Sequence, residues 1–243
     1  FKIGGDIYCE SASQMFGVPV VKHGINGELR QKGKVAELAL GYGGGANALI
    51  TMGALKQGLT EAELPDIVTR WRAKSPKIIE FWNACDTAAK NVIIYGKTVT
   101  LPNGISFEKT KGALLVHLIS GRDLTYLFPK IGTNRFGGES IEYKGMAQTA
   151  SVFTTLETYG GKLVENIVQA VARDCLGAAL MRLHEAGYQV VGHIHDEVII
   201  DAPSKDPDAT LKEIVGLMCT PTDWNKGLPL NADGFYSDYY KKD

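Results

Sequence analysis

Tyr159-Gly160-Gly161-Lys162-Leu163-Val164-Glu165-Asn166-Ile167-Val168-Gln169-Ala170 opens the part of the chain whose reading decides the fold. From Gly161 to about Ala186 the spacing predicts one long helix, with Leu163, Ile167, Ala170, Val171, Leu176, Leu180 and Leu183 on its apolar side. Gly187 ends it. Tyr188 to Ile194 and Val198 to Ile200 follow as two strands rich in β-branched residues, separated by His195-Asp196-Glu197. A long helix feeding a hairpin with an acidic tip at residues 188–201 points to a mixed α/β (α+β) architecture with antiparallel strands.

Upstream of that block, Thr98-Val99-Thr100-Leu101 and Ile105-Ser106-Phe107-Glu108 flank Pro102-Asn103-Gly104, a strong hairpin signal. Leu114 to Ile119 and Leu124 to Phe128 read as two more strands around Ser120-Gly121-Arg122, and the glycine-rich stretch Ile131 to Ala150 reads as an exposed loop pair. The first hundred residues have a helical character. Asp6 to Phe16 is stopped by Gly17-Val18-Pro19, and Glu28 to Leu40 precedes Gly41-Tyr42-Gly43-Gly44-Gly45. A further helix runs through Ala46, Leu49, Ile50 and Met52. Thr60 and Glu63 form a capping-box pattern ahead of Leu64, Ile67, Val68 and Trp71. Ser75-Pro76 starts a helix expected to turn Ile78, Ile79, Phe81 and Trp82 inward. A last helix near Leu211 to Met218 and a polar tail close the chain. The division is therefore 1–95, helical, and 96–243, mixed.

The 243 residues suffice for one large domain or two small ones, and 44% hydrophobic with 22% charged residues excludes disordered and fibrous classes. Lys plus Arg is 26 against 27 Asp plus Glu, which excludes a wholesale cationic surface but not a locally basic groove. No apolar run approaches the roughly 20 residues of a membrane helix. Cys9, Cys85, Cys175 and Cys219 are dispersed without a CxxC pair, which argues against a zinc knuckle or disulfide scaffold and fits a reducing cytoplasm. The start at Phe1, without an initiator methionine, reads as a piece of something longer.

Three constellations could carry chemistry. Arg30, Lys34, Leu38 and Tyr42 are spaced by four and form one slowly drifting helical stripe. Two cations with an aromatic could grip a triphosphate at one end and stack a base at the other; a solvated helix face is the plain alternative. His195-Asp196-Glu197 places adjacent carboxylates at a turn, either as a solvated hairpin tip or as hard oxygen ligands for magnesium. Glu165, Asn166, Gln169, Arg173 and Asp174 give the long helix a polar side that could meet the minor-groove acceptors present on every base pair, or could simply face water. His193 and His195 share a strand face, but the remaining chain is too short for an amidohydrolase barrel, and the metallo-β-lactamase spacing is absent.

Arg-x3-Lys-x7-Tyr-Gly, then Tyr159-Gly160-Gly161-Lys162 through Gln169-Ala170, then His195-Asp196-Glu197, is the motif order of family A DNA polymerases, and the chain resembles the C-terminal part of the bacteriophage-type members. Gly5-Asp6-Ile7-Tyr8 and Met15-Phe16-Gly17 extend that resemblance to nearly the whole chain. It implies a helical fingers subdomain at 1–95 and a palm portion at 96–243. It further implies template-directed addition of dNTPs to a primer 3′-OH, with primer–template DNA and dNTP as partners. Arg30 and Lys34 would contact the nucleotide phosphates. Leu38 would pack on the sugar, where the family usually has Phe or Tyr, and Tyr42 with Gly43 would sit by the templating base. Asp196 would help bind two Mg²⁺ ions with Glu197 in support, His195 would lie near the primer end, and Gln169 with Glu165 or Asn166 near the minor groove.

The family's other essential carboxylate, in an Asp-x-Ser-x-Ile-Glu-like block, has no counterpart among these residues. The expectation is a truncated polymerase fold, weak or inactive alone, acting with the missing upstream segment in a bacterial host's cytoplasm. The alternative is a non-catalytic DNA-binding module that kept the fold and lost the chemistry.

Overall fold

A computed structural model describes residues 4–134, 137–147, 151–203 and 205–241. The chain divides into two compact units: one runs to Leu118 and includes Asp123–Ile167, and the other joins Ile119–Arg122 to the stretch from Val168 onward.

The first unit begins with α1 (Ile7–Phe16), capped by Asp6, whose carboxylate accepts from the Tyr8 and Cys9 amides at 2.9 and 3.1 Å. Gly17 ends it in the left-handed region at φ 68°, as glycine permits without a Cβ penalty. Next come α2 (Arg30–Leu40), α3 (Ala46–Thr51), α4 (Leu64–Lys74) and α5 (Pro76–Tyr95). A Cβ on Gly33 of α2 would lie 2.0 Å from the Tyr8 carbonyl oxygen, so only glycine lets α1 and α2 approach this closely. Cys9, Ala12 and Val20 form the apolar seam there, flanked by Phe16 and Leu29. Thr60 and Glu63 do pair, with the Glu63 carboxylate accepting from the Thr60 amide and hydroxyl at 2.7 and 2.6 Å, but they brace a turn just ahead of α4.

Helix α5 turns Trp82, Cys85, Ala88, Ala89, Val92 and Ile93 inward. Ile78 is 37% exposed, contrary to the inward placement expected of it, because the buried stripe begins one turn later. The six strands β1 (Val99–Thr100), β2 (Ser106–Lys109), β3 (Ala113–His117), β4 (Asp123–Thr133), β5 (Glu139–Met146) and β6 (Phe153–Thr158) form one antiparallel meander in sequential order. Phe107, Leu114, Val116 and Ile141 are fully buried on one face of it. The stretch 131–150, expected to be a loop pair, instead completes β4 and supplies β5; its residues 135–136 and 148–150 lie outside the described residues. Pro129, the bulge between Leu127 and Lys130, and glycines 132 and 145 interrupt the period-two pattern that would have marked these strands.

Helix α6 (Gly160–Glu185) starts in the first unit, where Leu163, Val164 and Ile167 are buried, and continues into the second, where Leu176, Ala179 and Leu183 are. In the second unit β7 (Gln189–Ile194) and β8 (Glu197–Asp201) form the expected hairpin. Helix α7 (Pro207–Cys219) begins four residues ahead of the expected Leu211, because Asp206 caps it by accepting from the Ala209 amide at 3.0 Å and Pro207 suits its first turn. Arg182 closes the other end of α7 by donating to the Leu217 carbonyl at 2.9 Å.

Candidate functional site

In the first unit, α2 carries Arg30, Lys34 and Leu38 as one stripe, with Tyr42 in the turn that follows. Arg30 Nε donates to Asp6 Oδ2 at 2.8 Å, and its guanidinium lies 5.0 Å from the centre of the Tyr8 ring. Lys34 Nζ is 5.9 Å from the same ring and has no carboxylate partner among the described residues. Leu38 is 45% exposed, so this apolar side chain is offered to solvent rather than spent on the core.

The turn after α2 is held from several sides. Trp82 Nε1 donates to the Gly41 carbonyl at 3.1 Å, and the Tyr159 hydroxyl donates to the Tyr42 carbonyl at 3.3 Å. Trp82 stacks on Trp71 with ring centres 6.1 Å apart, and Trp71 Nε1 donates to Glu37 Oε1 at 2.8 Å. Gly43 has φ 88°, a conformation open to glycine, and a Cβ there would touch the Tyr159 ring at 3.2 Å. Gly160 and Gly161 answer from α6: their Cβ atoms would fall 2.1 Å from the Trp82 carbonyl oxygen and 2.2 Å from that of Tyr42. The Gly160 amide donates to Asp86 Oδ1 at 3.1 Å. Two sequence blocks more than a hundred residues apart thus meet in one backbone-to-backbone contact that leaves no room for side chains. Burial pushes the Tyr42 phenol pKa up, and the nearby Glu165 charge adds to it.

Glu165 accepts from Lys162 Nζ at 2.8 Å. Asn166 Nδ2 donates to the Tyr126 hydroxyl at 2.8 Å, so this amide is committed to the fold; burial is the main cause that pushes Tyr126 up to about 12. Gln169 is exposed on α6 in the second unit.

The second unit presents the acidic tip. Ile194 pairs with Glu197 across a two-residue turn, His195-Asp196, and His195 adopts φ 54°. His195, Asp196 and Glu197 are all exposed, so the carboxylates are solvated rather than buried beside the strands. Among the described residues no three His, Cys, Asp or Glu side chains come together as a metal cluster. The tip's carboxylates are hard oxygen groups of the kind magnesium takes. Cys9, Cys85, Cys175 and Cys219 are free thiols.

Sequence reasoning missed the partners: Asp6 for Arg30, Trp82 and Tyr159 around the Tyr42 turn, and Arg122 for Asp174. Only the glycine run at 41–45 and the pair Gly160-Gly161 signalled close backbone approaches.

No family model matches the chain. The DNA polymerase of Bacillus phage SP02 is 51% identical over 244 residues, covering 100% of this chain and 37% of that polymerase. Over its whole length the chain is a homologue of a phage DNA polymerase. The resemblance read from the motifs is borne out at that level. In fold, this polymerase homologue is similar to the POL domain of Pol1 from M. smegmatis, solved in complex with DNA primer-template and dNTP. That likeness has a TM-score of 0.57 at 16% identity and covers 90% of this chain and 31% of the other, so the mixed helix-and-antiparallel-sheet architecture is that of a polymerase domain. The chain spans about a third of the length of each relative. Among the described residues no helix is long and apolar enough to cross a membrane.

Proposed function

We propose that this polymerase homologue is the fingers-and-palm portion of a family A DNA-directed DNA polymerase, with fingers at about 1–95 and palm at 96–243. It would work in the host cytoplasm on primer–template DNA and dNTPs. The observation that carries the reading is the α2 stripe running into a Tyr42-Gly43 turn that is clamped by Tyr159, Gly160 and Gly161. A rigid turn of this kind fixes the ring of Tyr42 relative to Lys34 and Arg30, eight and twelve residues before it, and supports their joint use on one ligand.

In this reading Lys34 and Arg30 hold the triphosphate, whose charge two cations on one helix face partly neutralise. Leu38 offers an apolar contact to the sugar, and Tyr42 with Gly43 lies beside the nascent base pair. The primer 3′-OH would attack the α-phosphorus and give its proton to solvent, a P–O bond would form, and pyrophosphate would leave with the broken bond's electron pair. Asp196, with Glu197, would hold Mg²⁺, which supplies neutralisation of phosphate charge when bound. His195 lies next to that carboxylate near the primer end, while Glu165 and Gln169 face the minor groove. Asn166, tied to Tyr126, would position rather than touch DNA.

Because the residues at hand contribute one acidic arm, the isolated chain is expected not to extend a primer. Single-nucleotide extension with Mg²⁺, comparing the chain with Asp196→Ala, tests this. Extension by the chain that vanishes in the variant would overturn the one-arm view and reveal a second carboxylate within these residues. No extension by either, restored when the upstream polymerase segment is added, supports it. Failure of that restoration would favour the non-catalytic DNA-binding module.

A further inference from the structure

Arg173 and Asp174 share α6 with Gln169 but enter no step of the proposed function. In the second unit they line an open hollow of about 420 Å³ together with Ser120, Arg122, Gly177 and Trp224. Asp174 fixes one wall: its carboxylate accepts from Ser120 Oγ at 2.5 Å and from Arg122 Nε at 2.6 Å, while Arg122 Nη2 donates to the Ala170 carbonyl at 2.7 Å. Arg122 is therefore held with its Nη1 edge uncommitted among the described residues. Arg173 has no carboxylate partner among them; its Nη1 lies 3.4 Å from His193 Nδ1. Two guanidiniums against one carboxylate leave the hollow with one positive charge in excess.

Planar guanidinium forks match phosphate oxygens in geometry and charge. An indole at the same hollow offers a face on which any base can stack. Its volume admits a single nucleotide. We propose that this hollow binds one nucleotide of single-stranded DNA, the phosphate on Arg122 and Arg173 and the base against Trp224. The choice of a DNA strand rests on the polymerase reading; the paired-guanidinium hollow does not.

The test uses the 243-residue chain and fluorescein-labelled (dT)8, read by anisotropy and by tryptophan fluorescence. Trp71 and Trp82 are buried in the first unit and Trp224 is half-buried in the second, so quenching on binding reports the hollow. Arg173→Gln is expected to weaken (dT)8 binding about tenfold and to reduce the slope of log affinity against log salt by about 0.7, one single-strand phosphate contact. Gly177→Leu separates blockage from misfolding: a Cβ there meets nothing within 4 Å, and leucine favours helix, so the melting midpoint holds or rises while the side chain fills the hollow and quenching is lost. Quenching by (dT)8 that is equal in wild type, Arg173→Gln and Gly177→Leu would overturn the proposal, as would its absence in all three. If dTMP and inorganic phosphate quench through Arg173 but (dT)8 does not, the hollow takes a small free anion and the DNA assignment fails. Because quenching is read without primer, Mg²⁺ or dNTP, its outcome is independent of whether the chain extends a primer.

Discussion

Gly161→Ala probes the contact on which the functional reading stands. The added methyl would lie 2.2 Å from the Tyr42 carbonyl oxygen and 2.9 Å from the Tyr159 ring. Non-bonded carbons settle at about 3.5 Å from their neighbours, so relief requires roughly 1 Å of movement. The Tyr42 turn cannot give cheaply, because Trp82 holds Gly41 at 3.1 Å and Tyr159 holds Tyr42 itself at 3.3 Å. Overpacking of this kind costs about 1–3 kcal/mol. Replacing glycine in a helix returns at most about 1 kcal/mol, and less in the first turn. The net expectation is a loss of about 1–2 kcal/mol, or roughly 2–8 °C in melting midpoint for a chain of this size. Gly177→Ala, in the same helix but facing open space, should instead gain about 0.5–1 kcal/mol. Thermal melts followed by tryptophan fluorescence suit the first variant, since Trp71 and Trp82 lie in its unit; far-UV circular dichroism suits the second. A Gly161→Ala protein that melts at or above the wild type would refute the claim that these backbones meet.

His117 in β3 gives a pH signature. Its Nδ1 lies 2.7 Å from Asp123 Oδ1 and its Nε2 3.0 Å from Glu108 Oε2; the Asp123 hydrogen bond is the main cause raising its pKa, burial opposes it, and Glu108 adds to the rise. The stabilisation is thus full below the unfolded value of about 6.5 and is lost as pH rises through the higher folded value. Urea midpoints between pH 5 and 9 should fall in that window for the wild type and not for His117→Asn; parallel curves would dismiss the assignment. At the acidic tip, His195 holds φ 54°, which glycine adopts freely, so His195→Gly should stabilise the second unit by about 0.5–1 kcal/mol. A lower urea midpoint by circular dichroism would show that the imidazole contributes more than its backbone costs.

What the sequence revealed and what it hid divide along physical lines. Helices α1, α2, α5 and α6 and the hairpin at 188–201 follow from local signals: caps, stop glycines, periodicity and β-branched runs. The strand β5 was illegible because its only buried residues, Ser140 and Ile141, are adjacent and so show no period-two alternation, and because the bulge at Phe128 and Pro129 shifts the phase of β4. Ile78 was misplaced because an apolar residue in a first helical turn precedes the packed stripe. Of the site, the residue types were legible but their partnerships were not. Asp6 and Arg30 are 24 positions apart, and Tyr42 and Tyr159 are 117 apart, so no spacing rule connects them. The acidic tip shows the reverse: its local geometry was plain, whereas its exposure depends on what surrounds the hairpin.

The partnership of Arg30 also decides how the α2 stripe can act. Asp6 serves two masters, accepting from the Tyr8 and Cys9 amides as the cap of α1 and from Arg30 as its ion partner. Burial alone would raise its pKa, but the Arg30 hydrogen bond and those two amides outweigh it and leave the value lowered, so Asp6 is ionised at neutral pH. A phosphate arriving at Arg30 therefore meets a carboxylate already there and must compete with it. Lys34 carries no such debt: the Tyr8 ring is near it and no carboxylate pairs with it among the described residues. Under the proposed function the first contact with a triphosphate would fall to Lys34, and Arg30 would join by exchanging one anion for another. That exchange need not loosen the helix pair. Asp6 keeps its two amide donors as the cap, and the α1–α2 seam rests on the Gly33 approach and on Cys9, Ala12 and Val20, none of which involves the ion pair. On that proposal Arg30 pairs with Asp6 in the free chain and would turn to phosphate in the bound one, with the packing beneath it unchanged.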